Sequence, residues 1–147
     1  MEPSAAEAGA VGGEPVSFLL DTDICSAYLK GNSQVWQKVM QHAGQLHVST
    51  ITVGELFTWA SRQDASPKRR ESLEAFLQDV TVLDVTRAIA ERLGELRAVC
   101  FDTGRATPDM DLIIAATATV HDLTLVTHNV QDFADVQGLR IQDWLCA

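Results

Sequence analysis

"VSFLLDTDIC", residues 16–25, runs from an apolar segment straight into two carboxylates. Val16, Phe18, Leu19 and Leu20 read as a buried strand, because a strand covered on both faces is apolar at successive positions rather than alternate ones. Asp21, Thr22 and Asp23 then stand at its C-terminal end. A buried strand is a rigid mount, and the rest of the chain says what its terminal charge serves.

Four more short runs rich in β-branched residues follow, at 46–51, 81–85, 123–127 and 139–142. Helical patterns lie between them, over 26–41 with a break near Gly31, 53–63, 67–79, 86–101 and 108–121. Strands alternating with helices predict an α/β fold, with a mostly parallel sheet and helices on both of its faces. No internal repeat is present. Two helix starts are well marked. "TVGE", Thr52 to Glu55, has the form of a capping box, in which the Thr hydroxyl and the Glu carboxylate satisfy free backbone donors reciprocally. "TPDMD", Thr107 to Asp111, offers a Thr N-cap, Pro at the first helical position and acids in the first turn. The "LIIAATATV" that follows is apolar nearly all round, as a buried central helix should be.

The 147 residues suit one domain, and 46% hydrophobic residues suffice for a sizeable core. No apolar run approaches the roughly 18 residues of a membrane span. Residues 1–15 are rich in Ala, Gly, Pro and Ser and lack the basic start and apolar middle of a signal peptide, so they read as a flexible tail before a domain over 16–147. Three cysteines without CxxC spacing (Cys25, Cys100, Cys146) exclude a disulfide scaffold or a cysteine-rich zinc site and suit a reducing cytoplasm. The four histidines (His42, His47, His121, His128) show no metal-binding spacing. A net charge of −9 is a poor footprint for gripping nucleic acid over a broad surface. It leaves one local basic strip, Lys68, Arg69 and Arg70 with Arg62 nearby, which also reads as a solvated helix start.

In a parallel sheet, the C-terminal ends of strands and the N-terminal ends of the following helices share one edge, where open α/β folds bind ligands. Asp21 ends the first strand. Glu55 falls in the first turn after the second, Asp111 in the first turn of the buried helix, and Asn129 just past the fourth strand. Four oxygen-bearing side chains, far apart in sequence, therefore converge. Crowded carboxylates repel, so a cation must neutralise them or their pKa values rise. An all-oxygen set without His or Cys selects Mg²⁺ or Mn²⁺ over zinc, and such an ion activates water for attack on phosphorus. Each residue also has a structural use. Asp21 suits a helix N-cap, Glu55 the capping box, Asp109 and Asp111 a helix dipole, and Asn129 a turn. Asp109 and Asp111 lie two apart, so only one can face the cleft directly.

These motifs resemble a known family. "LLDTDIC", "VSTITVGELFTWA", "PDMDLIIAATATVHDLTLVTHNVQDF" and "VQGLRIQDWL" together resemble the PIN-domain ribonucleases, and more closely the VapC toxins of bacterial toxin–antitoxin pairs. The resemblance covers about residues 16–145, and the block from Pro108 to Phe133 is its most specific part. It implies a three-layer α/β/α sandwich around a central sheet of four to five strands. It implies a Mg²⁺- or Mn²⁺-dependent endoribonuclease that hydrolyses phosphodiester bonds, acts as the toxin of a pair in the cytoplasm, is usually dimeric, and is held inactive by a cognate antitoxin. Carried over residue by residue, Asp21 and Asp111 hold the metal most directly. Glu55 helps bind it or orients the water, and Asn129 completes the site. Asp109 and Asp23 become outer contributors; many relatives have Asn where this chain has Asp23. Thr22 and Thr127 become hydrogen-bond donors that orient ligands. No organic cofactor and no membrane are implied. Trp36, Trp59 and the apolar face of the helix over 53–63 are candidate dimer contacts.

Two rival classes fit parts of the pattern. A haloacid-dehalogenase-type phosphatase also opens on DxD after a strand, but it needs a Lys between its acidic motifs, and Lys30, Lys38 and Lys68 are not placed at a strand end. A catalytically idle PIN-like module that binds RNA or protein is the other, and the intact acidic set argues against it.

Overall fold

The computed structural model describes residues 16–146; the tail assigned to residues 1–15 lies outside them. Five strands form one sheet: β1 (Phe18–Leu20), β2 (Leu46–Ser49), β3 (Thr81–Leu83), β4 (Thr124–Val126) and β5 (Ile141–Gln142). Every pairing is parallel, in the order β3-β2-β1-β4-β5. Seven helices connect them: α1 (Thr22–Leu29), α2 (Ser33–Gln41), α3 (Thr50–Ser61), α4 (Pro67–Gln78), α5 (Arg87–Thr103), α6 (Asp109–Val120) and the single turn α7 (Val130–Phe133).

The sheet is covered on both sides, as the unbroken apolar runs require. Phe18 and Leu20 join Ile24, Val35, Leu56, Leu73 and Trp144 in one core, whereas Leu19 joins Ile89, Leu112, Ile114, Leu125 and Phe133 in the other. Adjacent residues of β1 thus point into opposite layers, the period-two geometry of a strand. The outcome is the expected three-layer α/β/α sandwich. Helix α6 is the buried central helix its sequence promised, with Leu112, Ile114, Ala115, Ala116, Thr117 and Ala118 all buried.

The predicted helix over 26–41 is two helices. Gly31, at φ +86°, adopts the left-handed conformation that ends α1 without a side-chain penalty. Asn32 then caps α2, accepting a hydrogen bond from Val35 N–H at 3.0 Å.

Both predicted caps fall elsewhere. Ser49, not Thr52, is the N-cap of α3, and its hydroxyl accepts from Ile51 N–H at 3.1 Å. The β-branched run Thr50-Ile51-Thr52-Val53 favours strand by local propensity, but the chain turns at Ser49 and these residues enter the helix. Pro108, not Thr107, takes the N-cap position of α6, with no side-chain cap bond. Asp109 and Asp111 do lie in its first turn.

Leu125 is fully buried at the centre of β4. Leu125→Ala should cost about 3 kcal/mol, near the middle of the range for buried Leu truncations. Thermal denaturation should show a fall in Tm of roughly 10 °C. The same truncation at Val120, 39% exposed, should change Tm little.

Candidate active site

Between β1 and β4 the order of strands reverses direction, because the chain builds outward through β2 and β3 and then returns to the other side of β1. A crevice opens at such a point, beyond the strand C-termini. Here it is a cavity of about 290 Å³ lined by Asp21, Thr22, Asp23, Ser26, Glu55, Met110, Asp111, Ile114 and Asn129.

Asp21 is buried, 7% exposed, at the centre of this arrangement. Its N–H donates to Val126 O at 2.9 Å as the last rung of the β1–β4 ladder, and its own carbonyl accepts from Ile24 and Cys25 N–H at 3.1 Å. One residue therefore ends the strand and starts the helix. Its carboxylate accepts from Thr22 N–H at 2.8 Å and from the Thr127 hydroxyl at 2.9 Å. Asp21 thus caps the helix and still lines the cavity. Burial chiefly, then the nearby Asp23 charge, lifts its pKa from the ordinary 3.8 to about 6, with Asp111 adding to the rise and the two hydrogen bonds opposing it.

Asp111 is half-buried, and burial raises its pKa too, helped by the charges of Asp132, Glu55 and Asp23. Glu55 is exposed, and its Oε1 accepts from the Thr22 hydroxyl at 2.7 Å. Thr22 Oγ1 in turn lies 3.3 Å from Thr52 Oγ1, which gives the buried Thr52 a polar partner. Because α3 begins two residues before "TVGE", Glu55 stands in the second turn with no capping duty. Asn129 opens α7, yet its side chain makes no cap bond and it lines the cavity; its N–H donates to Thr127 Oγ1 at 3.1 Å. Thr127 thus joins Asp21 to Asn129 across two strands.

Asp23 sits at the cavity edge, and its carboxylate is committed to backbone. It accepts from Ile24 N–H at 2.8 Å and from His128 N–H at 2.9 Å. Burial pushes its pKa up and these bonds push it down. It clamps the loop after β4 to the start of α1. His128 Nδ1 lies 2.9 Å from Asp143 Oδ2, which ties the same loop to the segment after β5. Asp109 does not line the cavity. Its carboxylate pairs with Arg97 of α5 at 3.0 Å, because residues two apart on a helix face different sides.

Three contributors escaped the sequence reading. Ser26 lines the cavity four residues after Thr22, on the same face of α1; starting that helix at Thr22 would have exposed the spacing. Asp132 acts on Asp111 from α7, a helix too short to leave a periodic signal. Asp143 is 122 residues from Asp21 and carries no local mark of its role.

The donor set is oxygen throughout, and burial together with neighbouring acidic charge raises the pKa values of Asp21 and Asp111, which a cation would relieve. Among the described residues no three His, Cys, Asp or Glu side chains already form a metal cage. Lys30, Lys38 and Lys68 are exposed and none lines the cavity, so the lysine of a dehalogenase-type phosphatase has no counterpart.

A parallel five-stranded sandwich with an acidic cavity at its switch point defines a class, and comparison with known proteins agrees: residues 18–139 match the PIN domain, and the chain belongs to that family. Within it, the chain stands among ribonucleases of the VapC type. It is 32% identical over 130 residues to the tRNA(fMet)-specific endonuclease VapC of Shigella flexneri, covering 88% of this chain and 98% of that one. It is 30% identical over 131 residues to ribonuclease VapC2 of Haemophilus influenzae, covering 88% and 99%. Among solved structures, the DNA-bound VapBC of Salmonella typhimurium superposes with a TM-score of 0.83 at 28% identity, covering 88% of this chain and 99% of that one.

The folded pKa of Asp21 lies above its unfolded value, so the folded state holds the extra proton between about pH 4 and 6. Stability is therefore highest below this window and falls as pH rises through it. Asn cannot ionise. In EDTA, Asp21→Asn should match wild type in Tm near pH 4 and exceed it by several degrees at pH 7.5. The electrostatic gain is at most about 3 kcal/mol, offset in part by a weakened bond to Thr127. Melting curves across this range check it.

Proposed function

We propose that this protein is a metal-dependent endoribonuclease that hydrolyses RNA phosphodiester bonds as the toxin of a toxin–antitoxin pair. The observation that carries the reading is the convergence of Asp21, Glu55, Asp111 and Asn129 on one cavity at the switch point of a PIN-domain sheet. Ribonuclease names on full-length relatives support the activity. VapBC complexes among the structural neighbours support an antitoxin partner. The working unit is a single nuclease domain over residues 16–147. No described helix is long and apolar enough to cross a membrane, and all three cysteines are free, which suits the cytoplasm.

Mg²⁺ or Mn²⁺, when bound, supplies Lewis-acid polarisation of the phosphate and a lowered pKa for water. Asp21 and Asp111 would hold it, with Glu55 beside them. Thr127 and Thr22 N–H keep the Asp21 carboxylate in one orientation, and the Thr22 hydroxyl does the same for Glu55. Asn129 presents a neutral carboxamide, which donates to a phosphate oxygen without adding repulsion. Met110 and Ile114 wall the cavity with apolar surface and limit water on that side. A homodimer is part of the proposal, with Trp36 (51% exposed) and Met40 (43%), one turn apart on α2, as its contact. Trp59 on α3, with Arg69 over its ring, is the other aromatic candidate for a contact.

Purified, antitoxin-free protein should cleave RNA with Mg²⁺ or Mn²⁺ and not with EDTA. Initiator transfer RNA is the first substrate to try, given the specificity in the names of two relatives. Asp111→Asn should lower the rate on the order of a hundredfold or more with the fold intact. Cleavage that survives either EDTA or that substitution would refute the site.

Cation binding requires a deprotonated Asp21. Mn²⁺ should therefore raise Tm more at pH 7.5 than at pH 5, and not at all in Asp21→Asn. Calorimetric or dye-based melting with and without Mn²⁺ measures this.

A further inference from the structure

Four of the chain's eleven basic residues, Arg62, Lys68, Arg69 and Arg70, fall within nine positions, and none of them lines the cavity. In a chain of net charge −9, such a concentration decides where a polyanion can make contact.

Two of these cations are held against a neighbouring helix. The start of α4 folds back onto α3, the helix that carries Glu55. The Arg69 guanidinium lies over the Trp59 ring, 5.2 Å from its centroid, and Nη1 donates to the Trp59 carbonyl at 3.0 Å. Arg70 lies over Phe57 at 5.0 Å. Arg69 and Arg70 also approach Asp64 and Glu74, at 3.9 and 3.7 Å. Arg62 and Lys68 are exposed, and among the described residues neither enters an ion pair.

Trp59 follows Glu55 by four residues, so both occupy one face of α3. About 6 Å of helix rise separates them, comparable to one step along a nucleotide strand. The face leads from the cavity to a fixed indole–guanidinium pair, with two uncompensated cations beside it. Aromatic rings and guanidinium planes stack unpaired bases, and lysine and arginine hold the phosphates between them. A duplex keeps its bases stacked on each other and offers them no face.

We propose that the α3–α4 hairpin is a substrate groove for an unpaired RNA segment next to the scissile phosphate. One base stacks on the Trp59–Arg69 pair while Arg62 and Lys68 take neighbouring phosphates. The groove rests on the ribonuclease reading of the cavity and adds to it the side chains outside the cavity that hold the RNA beside the cut.

The test is fluorescence anisotropy of the full chain in EDTA with a labelled mixed-sequence RNA 12-mer, alone or annealed to its complement. Wild type should bind the single strand at least tenfold more tightly than the duplex. Trp59→Leu should weaken single-strand binding about tenfold, and Trp59→Phe, which keeps a ring, about twofold or less. The Arg62→Ala/Lys68→Ala variant should weaken it as well and reduce the slope of log K against log salt by roughly 1.4, two phosphates' worth. Both of its sites are exposed, so it folds even if Trp59→Leu does not. Equal affinity for duplex, no measurable binding, or unchanged affinity and salt slope in the double variant overturns the groove. So does unchanged RNA affinity with a changed sedimentation mass, which would make this face a contact between copies or with a protein partner. Cleavage assays run in parallel separate the two readings. Binding through Trp59 without any cleavage sinks the nuclease and keeps the groove. Cleavage that is indifferent to Trp59 and to the two cations sinks the groove alone.

Discussion

The hydrogen bond from the Thr127 hydroxyl to Asp21, 2.9 Å across the β1–β4 pair, closes the point on which the molecule is organised. A carboxylate removed from water needs donors, and Asp21 has them from its own helix start and from the neighbouring strand. The same oxygen of Thr127 accepts the N–H of Asn129, so one hydroxyl fixes the geometry between two strand ends. This arrangement exists because β1 and β4 are neighbours although 103 residues separate Thr124 from Asp21. Two hydrogen bonds do not fully compensate burial beside other acids. The residual cost is the elevated pKa of Asp21, and it leaves the site receptive to positive charge.

The second set of constraints comes from the C-terminal segment. Trp144 packs edge-on against Phe18 with ring centroids 5.1 Å apart and stacks on His42. Asp143 beside it reaches His128, whose N–H is held by Asp23. The loop bearing Asn129 is therefore gripped from the start of α1 and from the segment after β5. Asp23 serves the site by holding backbone. Ile24 and His128 bond to different oxygens of that carboxylate, and an Asn has only one acceptor oxygen, so the two-sided clamp comes with a charge that adds to the load on Asp21.

Glu55 shows how a local rule can mislead and still point to a residue that lines the cavity. "TVGE" satisfies the pattern of a capping box, yet the helix starts at Thr50, and Glu55 is free to face the cavity under the control of Thr22. Asp109 shows the converse. It satisfies every local criterion that Asp111 does, but helix phase turns it to Arg97. Choosing between them needed the position of α5, which no first-turn motif contains. The Lys68–Arg70 run reads as a solvated helix start in sequence, and only the packing of α4 on α3 lays its guanidinium groups over Trp59 and Phe57.

The sequence alone determined the α/β alternation, the parallel sheet, the buried α6 and the four side chains that meet at one edge of the sheet. These follow from short-range physics: hydrophobic period, β-branched content and first-turn acids, together with the rule that parallel strands end on one side. Tertiary structure decided where the helices begin, which of two aspartates faces the cavity, and that Ser26, Asp132 and Asp143 belong to its surroundings. Those are settled by contacts between residues distant in the chain. A hydrogen bond such as Thr127 to Asp21, with 106 positions between its partners, leaves no periodic trace in either segment.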